Sequence, residues 1–184
     1  MYFLRQRTIL VNLILMTIVW ITVAFNYYMI NLQVKYFPGE FSINMMVMTA
    51  SDIPACLLAG YLVTKFSPRR VFIIFFTLQS LAGISILTFI SVSNPGWTFP
   101  TLVGCARLGA VGAFTSTWLT HPRMFPTLFA VTSLGIANFA SRSFVIFAPM
   151  VAEIAYPIPV VIFTSLTILA GISSLFIIEN KQVD

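Results

Sequence analysis

Charge is the scarcest property of this chain. Asp, Glu, Lys and Arg make up only 8% of its 184 residues, against roughly 25% in a soluble globular domain. A surface so poor in charge does not dissolve in water, which excludes a soluble fold and points to lipid as the solvent; the mean hydropathy of +0.96 agrees. Acidic residues are rarer still, five against ten basic ones, for a formal charge of +5. That excess forms no basic stripe and no aromatic-flanked patch, so nucleic acid is not an expected partner. Histidine occurs once, at His121 ahead of Pro122, and cysteine twice, at Cys56 and Cys105. Neither cysteine belongs to a CxxC pair, and both read as small hydrophobes buried in apolar runs. With no metal-ligand cluster, Ser-His-Asp set or phosphate loop, neither an enzyme nor a cofactor is expected. Phenylalanine, by contrast, is abundant at 18 residues, which suits lipid-facing helices and opposes disorder.

A helix that crosses a bilayer needs about 20 mostly apolar residues. Six stretches meet that requirement: 8–31, 41–65, 69–92, 98–119, 127–152 and 157–178. Proline-bearing turns separate them: "YFPGE" (36–40), "SPRR" (67–70), "SNPGW" (93–97), "HPRMFPT" (121–127) and "YPIP" (156–159). The expected fold is therefore an all-α membrane protein, one six-helix bundle over residues 1–184. Arg5 and Arg7 lead straight into the first span, so no cleavable signal peptide is expected there. Arg5, Arg7, Lys65, Arg69, Arg70, Arg123 and Lys181 fall on one side of these spans and Lys35 on the other. The positive-inside rule puts both termini in the cytoplasm.

Three charges lie inside spans: Asp52, Arg107 and Arg142. Each costs at least ~2.5–3.5 kcal/mol at the bilayer centre, so each is expected to face protein or a water-filled cavity. Spans three and six carry none, which divides the bundle into a polar set (two, four and five) and a lipid-facing or scaffolding pair (three and six). The first span joins the polar set through Asn26, Tyr27, Tyr28 and Asn31. In the second, Asn44, Met48 and Asp52 repeat every four residues on one face, with Pro54 bending the helix just beyond. The fourth, "GCARLGAVGAF", offers the pairs Ala106/Ala110 and Gly109/Ala113 for close helix approach. The fifth sets Asn138 one turn before Arg142. Asp52 and Arg107 can serve as helix glue, yet two arginines against one aspartate leave a positive charge over. That charge calls for a carboxylate from a partner, access to water, or an anionic solute.

From Arg5 to Lys181 the chain resembles the C-terminal half of a major facilitator superfamily transporter of the organic cation/anion/carnitine family. "AFNYY" (24–28) is similar to an aromatic pair in the first helix of that half, and "SDIPACLLAGYL" (51–62) to its acidic-x-Pro-Ala helix, with Asp52 at the acidic position. "FSPRR" (66–70), "CARLGA" (105–110) and "RMFPT" (123–127) match further family segments in order. "SRSFVIFAP" is similar to the Arg-x6-Pro spacing of the anion and carnitine branches, where cation carriers tend to have an acidic residue. The resemblance implies two inverted three-helix repeats, with helices one, two, four and five lining a cavity and three and six supporting them. The charge pattern alone gives the same division. The departures are that Ser67 stands where the family usually has Gly, Thr64 near a frequent acid, Arg123 for a Glu, Ala130 for an Arg, and Cys56 for a Lys of some anion carriers. The cytoplasmic charge network that biases gating is thereby reduced.

The function these readings imply is transport of small organic ions, organic anions or carnitine-like zwitterions, by alternating access together with an N-terminal bundle outside this chain. The candidate substrate-binding residues are Arg142, Asn138, Arg107, Asp52, Tyr27 and Tyr28; Arg69, Arg70 and Arg123 are candidates for a gating loop. The alternative is a degenerate half-transporter serving as a structural subunit of a larger membrane complex. The expected partners are the missing half or another membrane subunit, the bilayer and a small organic ion. The expected location is the plasma membrane, with a mitochondrial or other organelle membrane as the alternative.

Overall fold

In a computed structural model the described residues are 2–89 and 96–178, with side chains from Arg7 onward. The side chain of Arg5, residues 90–92 of the third expected span, positions 93–95 of the "SNPGW" turn and Lys181 lie outside them. Among the described residues all regular structure is helical. α1 (Tyr2–Gln33) ends in a short 3-10 turn (Val34–Tyr36) and is followed by α2 (Phe41–Ala50) and α3 (Asp52–Lys65). Then come α4 (Pro68–Phe89), α5 (Thr98–Met124), α6 (Thr127–Val145), α7 (Ala148–Ala152) and α8 (Ile158–Leu175). Six helical stretches are long and apolar enough to cross a membrane: Arg7–Tyr36, Phe41–Lys65, Pro68–Phe89, Thr98–Met124, Thr127–Ala152 and Ile158–Leu175. They coincide with the six expected spans to within a few residues, α2 with α3 and α6 with α7 each making one span.

Both breaks have the same cause. Proline lacks an N–H, and its ring crowds the carbonyl four residues earlier. Pro54 lies four residues after Ala50, where α2 ends, and Pro149 lies four after Val145, where α6 ends. The second and fifth spans are thus interrupted at equivalent places, each being the middle span of its group of three.

α1 and α5 pack against one another at the centre of the bundle. α4 lies against α5 and α8, and α8 closes onto α1. α2 and α3 run along α5 as α6 and α7 run along α1, so exchanging the first three spans for the last three preserves the pattern of neighbours. The outer position of the second and fifth spans leaves them 22% and 17% buried, against 61% for α5. Spans one, three and six are 44% buried each; the apolar sides of spans two and five are the barer ones.

Glycine lets α5 sit centrally. A β-carbon on Gly109 would come within 3.0 Å of the Gln79 backbone nitrogen and 2.8 Å of its Cβ. One on Gly112 would collide with the Phe75 ring, and one on Gly104 would lie 2.9 Å from Val47. The small-residue segment therefore seats α5 against α4 on one side and α2 on the other. Gly109→Val is expected to push α4 and α5 apart at a cost of about 1–3 kcal/mol. It should lower the unfolding midpoint in detergent, whereas Gly60→Val, whose new Cβ meets nothing within 4 Å, should leave it in place.

Two apolar clusters fill the interior. One, nearer the chain termini, gathers Met16, Trp20, Phe72, Phe75, Phe76 and Phe125; the other gathers Phe25, Met29, Phe37, Ile86, Phe99 and Phe163. The charged residues of the spans fall at the level between them.

Candidate functional site

Counting helical rise from the end that carries Arg7, Lys65 and Arg123, Asp52, Arg107, Arg142 and Tyr27 all lie roughly 20–30 Å along their spans. Four helices entering from alternating sides thus bring these residues to one level of the membrane. There they form a connected line. The Nε and Nη2 of Arg107 donate to the two carboxylate oxygens of Asp52 at 2.7 and 2.9 Å, a bidentate pair joining α5 to α3. Arg107 Nη1 donates to the Tyr27 carbonyl at 3.4 Å, and its guanidinium lies 4.2 Å from the centre of the Tyr27 ring. The Tyr27 and Tyr28 rings meet edge to face at 5.3 Å. Arg142 Nη1 on α6 donates to the Tyr28 hydroxyl at 2.8 Å.

The two arginines differ in environment. Arg107 is 3% exposed and bears a matched countercharge; the Asp52 side chain is 32% exposed and open on one side. Arg142 is exposed, and its described partners are a neutral hydroxyl and, at 5.8 Å, the ring that carries it. The sequence leaves open which arginine neutralises Asp52. In the structure it is Arg107, and Arg142 carries the surplus charge.

The other candidates divide. Tyr27 and Tyr28 are half-buried at the centre of the line. Asn138 is half-buried too, but its amide folds back to the Leu134 carbonyl at 3.3 Å and forms no described bond to Arg142. Asn26, grouped with the polar face, points the other way: it is fully buried and donates to Thr167 Oγ1 at 2.9 Å and to the Phe163 carbonyl on α8. One residue of helix rotates about 100°, enough to separate it from Tyr27. Asn44 and Met48 share their face with Asp52 and are buried, Asn44 holding the Pro38 carbonyl at 3.1 Å. Cys56 overturns its expectation. It is exposed, with Sγ 3.7 Å from Thr115 Oγ1 on α5, because it lies one turn beyond Asp52 on the same outer helix.

Some residues of this region escape sequence reasoning. Phe114 stacks on Tyr27 at 5.3 Å, and Trp118 continues the wall as an exposed ring. Trp20 Nε1–H donates to His121 Nδ1 at 3.1 Å, and His121 Nε2 lies 3.0 Å from Ser133 Oγ. Indole can only donate, so Nδ1 accepts, and the neutral ring carries its proton on Nε2. Ser133 in turn donates to the Ala130 carbonyl. This buried relay ties α1, α5 and α6 together below the charged line. Among the described residues no group of three or more His, Cys, Asp or Glu side chains could hold a metal.

The gating candidates lie at the basic end. Arg123 donates to the Val63 carbonyl at 3.3 Å, a cation at the last turn of α3 where the helix dipole favours one. Arg69 and Arg70 border a cavity of about 600 Å³ between the start of α4 and the residues after α8. At the opposite end Glu153 accepts from Lys35 Nζ and from the Tyr36 hydroxyl, both at 2.7 Å. Those two donors hold its carboxyl below the usual carboxylate range.

Comparison with known proteins finds transporters among the relatives of this chain. The chain is similar to organic cation/carnitine transporter 2 of Mus musculus, 28% identical over 185 residues, covering 98% of this chain and 32% of the relative. It is similar to solute carrier family 22 member 6-B of Xenopus laevis, 31% identical over 168 residues, covering 89% of this chain and 30% of the relative. Organic anion transporter 3 of Mus musculus is 30% identical over 169 residues, covering 90% of this chain and 31% of that protein. The chain spans about a third of the length of the curated relatives it matches. No family profile matches it. Two of these relatives are named as an organic cation/carnitine transporter and an organic anion transporter, and with six spanning helices the chain is an integral, multi-pass membrane protein.

Proposed function

We propose that this chain is one six-helix half of a carrier for small organic anions or zwitterions, with Arg142 as the group that meets the substrate's carboxylate. The observation that carries the reading is the unequal pairing of two arginines. Asp52 satisfies Arg107 in a half-buried bidentate contact, while Arg142 stands exposed on the same polar line with a neutral hydroxyl for its described partner. A guanidinium can grip a carboxylate through two parallel hydrogen bonds. Tyr28 holds the side chain in position, and Tyr27, Phe114 and Trp118 supply an aromatic wall for the rest of the solute. Asp52 and Arg107 act as the fixed partner that keeps α3 and α5 together beneath it.

Half a cavity does not transport. The pattern of exchangeable neighbours between the two groups of three spans is what two inverted repeats give, and alternating access then requires a second bundle to rock against this one. The bare sides of spans two and five are where that bundle would seat. Arg69, Arg70 and Arg123 would bias opening from the basic end, and the plasma membrane is the proposed location.

Reconstitution tests the reading. The purified chain, shown to be monomeric, is expected to give no saturable uptake of a small carboxylate in liposomes. Joined to the N-terminal bundle of one of the relatives above, it is expected to give saturable uptake. Saturable uptake by the monomer alone would defeat the half-carrier reading, and an inert but well-folded fusion would favour a structural subunit.

A further inference from the structure

The basic cavity at the start of α4 adjoins a second groove. The exposed Arg69 and Arg70 stand at its mouth beside Ser67, and Ile73, Leu175, Phe176, Ile177 and Ile178 complete its lining. Ile73 and Leu175 also begin a second, apolar groove of about 260 Å³ that continues along the α4/α8 seam past Phe76 and Thr77 to Leu81 and Ile168. Gly171 lines that groove, and its missing side chain notches α8. Asn12 fixes the wall, clamping the backbone of Ile178 with two bonds: its amide donates to the Ile178 carbonyl at 2.8 Å, and its own oxygen accepts from the Ile178 N–H at 3.0 Å.

Charge and length together specify an occupant. From Arg70 to Leu81 the helical rise is about 16 Å, close to half of a hydrocarbon core of about 30 Å. A cationic mouth at the membrane surface above an apolar channel one leaflet deep matches a phosphate headgroup above an acyl chain. The mouth lies at the basic end of the bundle, the end that the positive-inside rule directs to the cytoplasm. Anionic lipids concentrate in the leaflet on that side. We propose that the α4/α8 seam binds one anionic phospholipid, its phosphate at Arg69 and Arg70 and one acyl chain in the groove beside Gly171. The seam shares no lining residue with the line of Asp52, Arg107 and Arg142, so lipid binding there is read separately from substrate binding.

Native mass spectrometry of the purified chain in detergent, loaded with equal phosphatidylserine and phosphatidylcholine, reads this out. Phosphatidylserine is expected to be retained selectively. Arg69→Ala with Arg70→Ala should weaken that retention on the order of thirtyfold, the combined effect of two surface arginines. Gly171→Leu should lower it without changing charge, which keeps the test alive if the double variant folds poorly. Lys65→Ala with Arg123→Ala, which removes two charges from the same end but outside the cavity, should change retention by less than about twofold. Equal retention of the two lipids, or equal loss in both double variants, would overturn the site. So would displacement by soluble glycerophosphoserine, which would mark a phosphate site with no use for the acyl chain.

Discussion

Asp52→Ala is expected to lower the stability of this protein more than any other single change of charge. It would strand Arg107, whose guanidinium is 3% exposed and would keep only the Tyr27 ring and a 3.4 Å contact to the Tyr27 carbonyl. Removing one partner of a buried pair costs about 3–5 kcal/mol, because the remaining charge is uncompensated. The lower part of that range applies here, since Asp52 is partly open and water can reach the site it vacates. The reverse change should be milder in its electrostatics: in Arg107→Met the stem is kept, and the Asp52 carboxylate can hydrate through its exposed side. Combining Asp52→Ala with Arg107→Met leaves no stranded charge and should recover most of the loss. Unfolding midpoints of the purified variants in detergent measure all of this as one double-mutant cycle. An unchanged midpoint in Asp52→Ala would show that the pair does not hold α3 to α5.

Arg142 should behave in the opposite way. It is exposed and bonded to a neutral hydroxyl, so Arg142→Ala is expected to leave the folded yield and midpoint nearly unchanged. In the protein joined to a second bundle it should nevertheless reduce carboxylate uptake by about tenfold to a hundredfold, the loss of one charge-assisted bidentate contact worth ~1.5–3 kcal/mol. Arg142→Lys should fall between, because an ammonium keeps the charge without the fork. Tyr28→Phe should act in the same direction but less, freeing the guanidinium to other rotamers. Uptake kinetics and surface expression, measured on the same cells, separate these effects. Loss of expression in parallel with loss of uptake would make Arg142 a structural residue.

The membrane fold was legible because its signals are long-range averages or strong local breakers. Apolar runs gave the six spans, and the bend at Pro54 followed from proline chemistry. That Asp52 pairs with one of the two arginines was legible by charge alone, since an isolated carboxylate in lipid must find a cation. The choice between Arg107 and Arg142 was not legible: it depends on which helix packs beside α3, and only tertiary structure sets that. Cys56 was misread as buried because an apolar run does not reveal which side of a span faces inward, although its place one turn from Asp52 carried the correct signal. Asn26 failed for the same reason, sitting one residue from Tyr27 yet pointing toward α8. Trp20 and His121 lie 101 residues apart in sequence, and a single indole with a single imidazole has no spacing that could announce their bond. Phe114 and Trp118 are invisible in a chain so rich in aromatic residues.

On the proposed reading Arg142, whose described partners are uncharged, decides the sign of the transported ion. Arg142→Glu, in the protein joined to an N-terminal bundle, tests it through paired uptake of a small carboxylate and a monovalent organic cation of similar size. Reversing the charge should abolish carboxylate uptake and raise cation uptake, with Asp52 and Arg107 untouched and the unfolding midpoint held. Carboxylate uptake that survives the reversal at its original affinity would contradict the account.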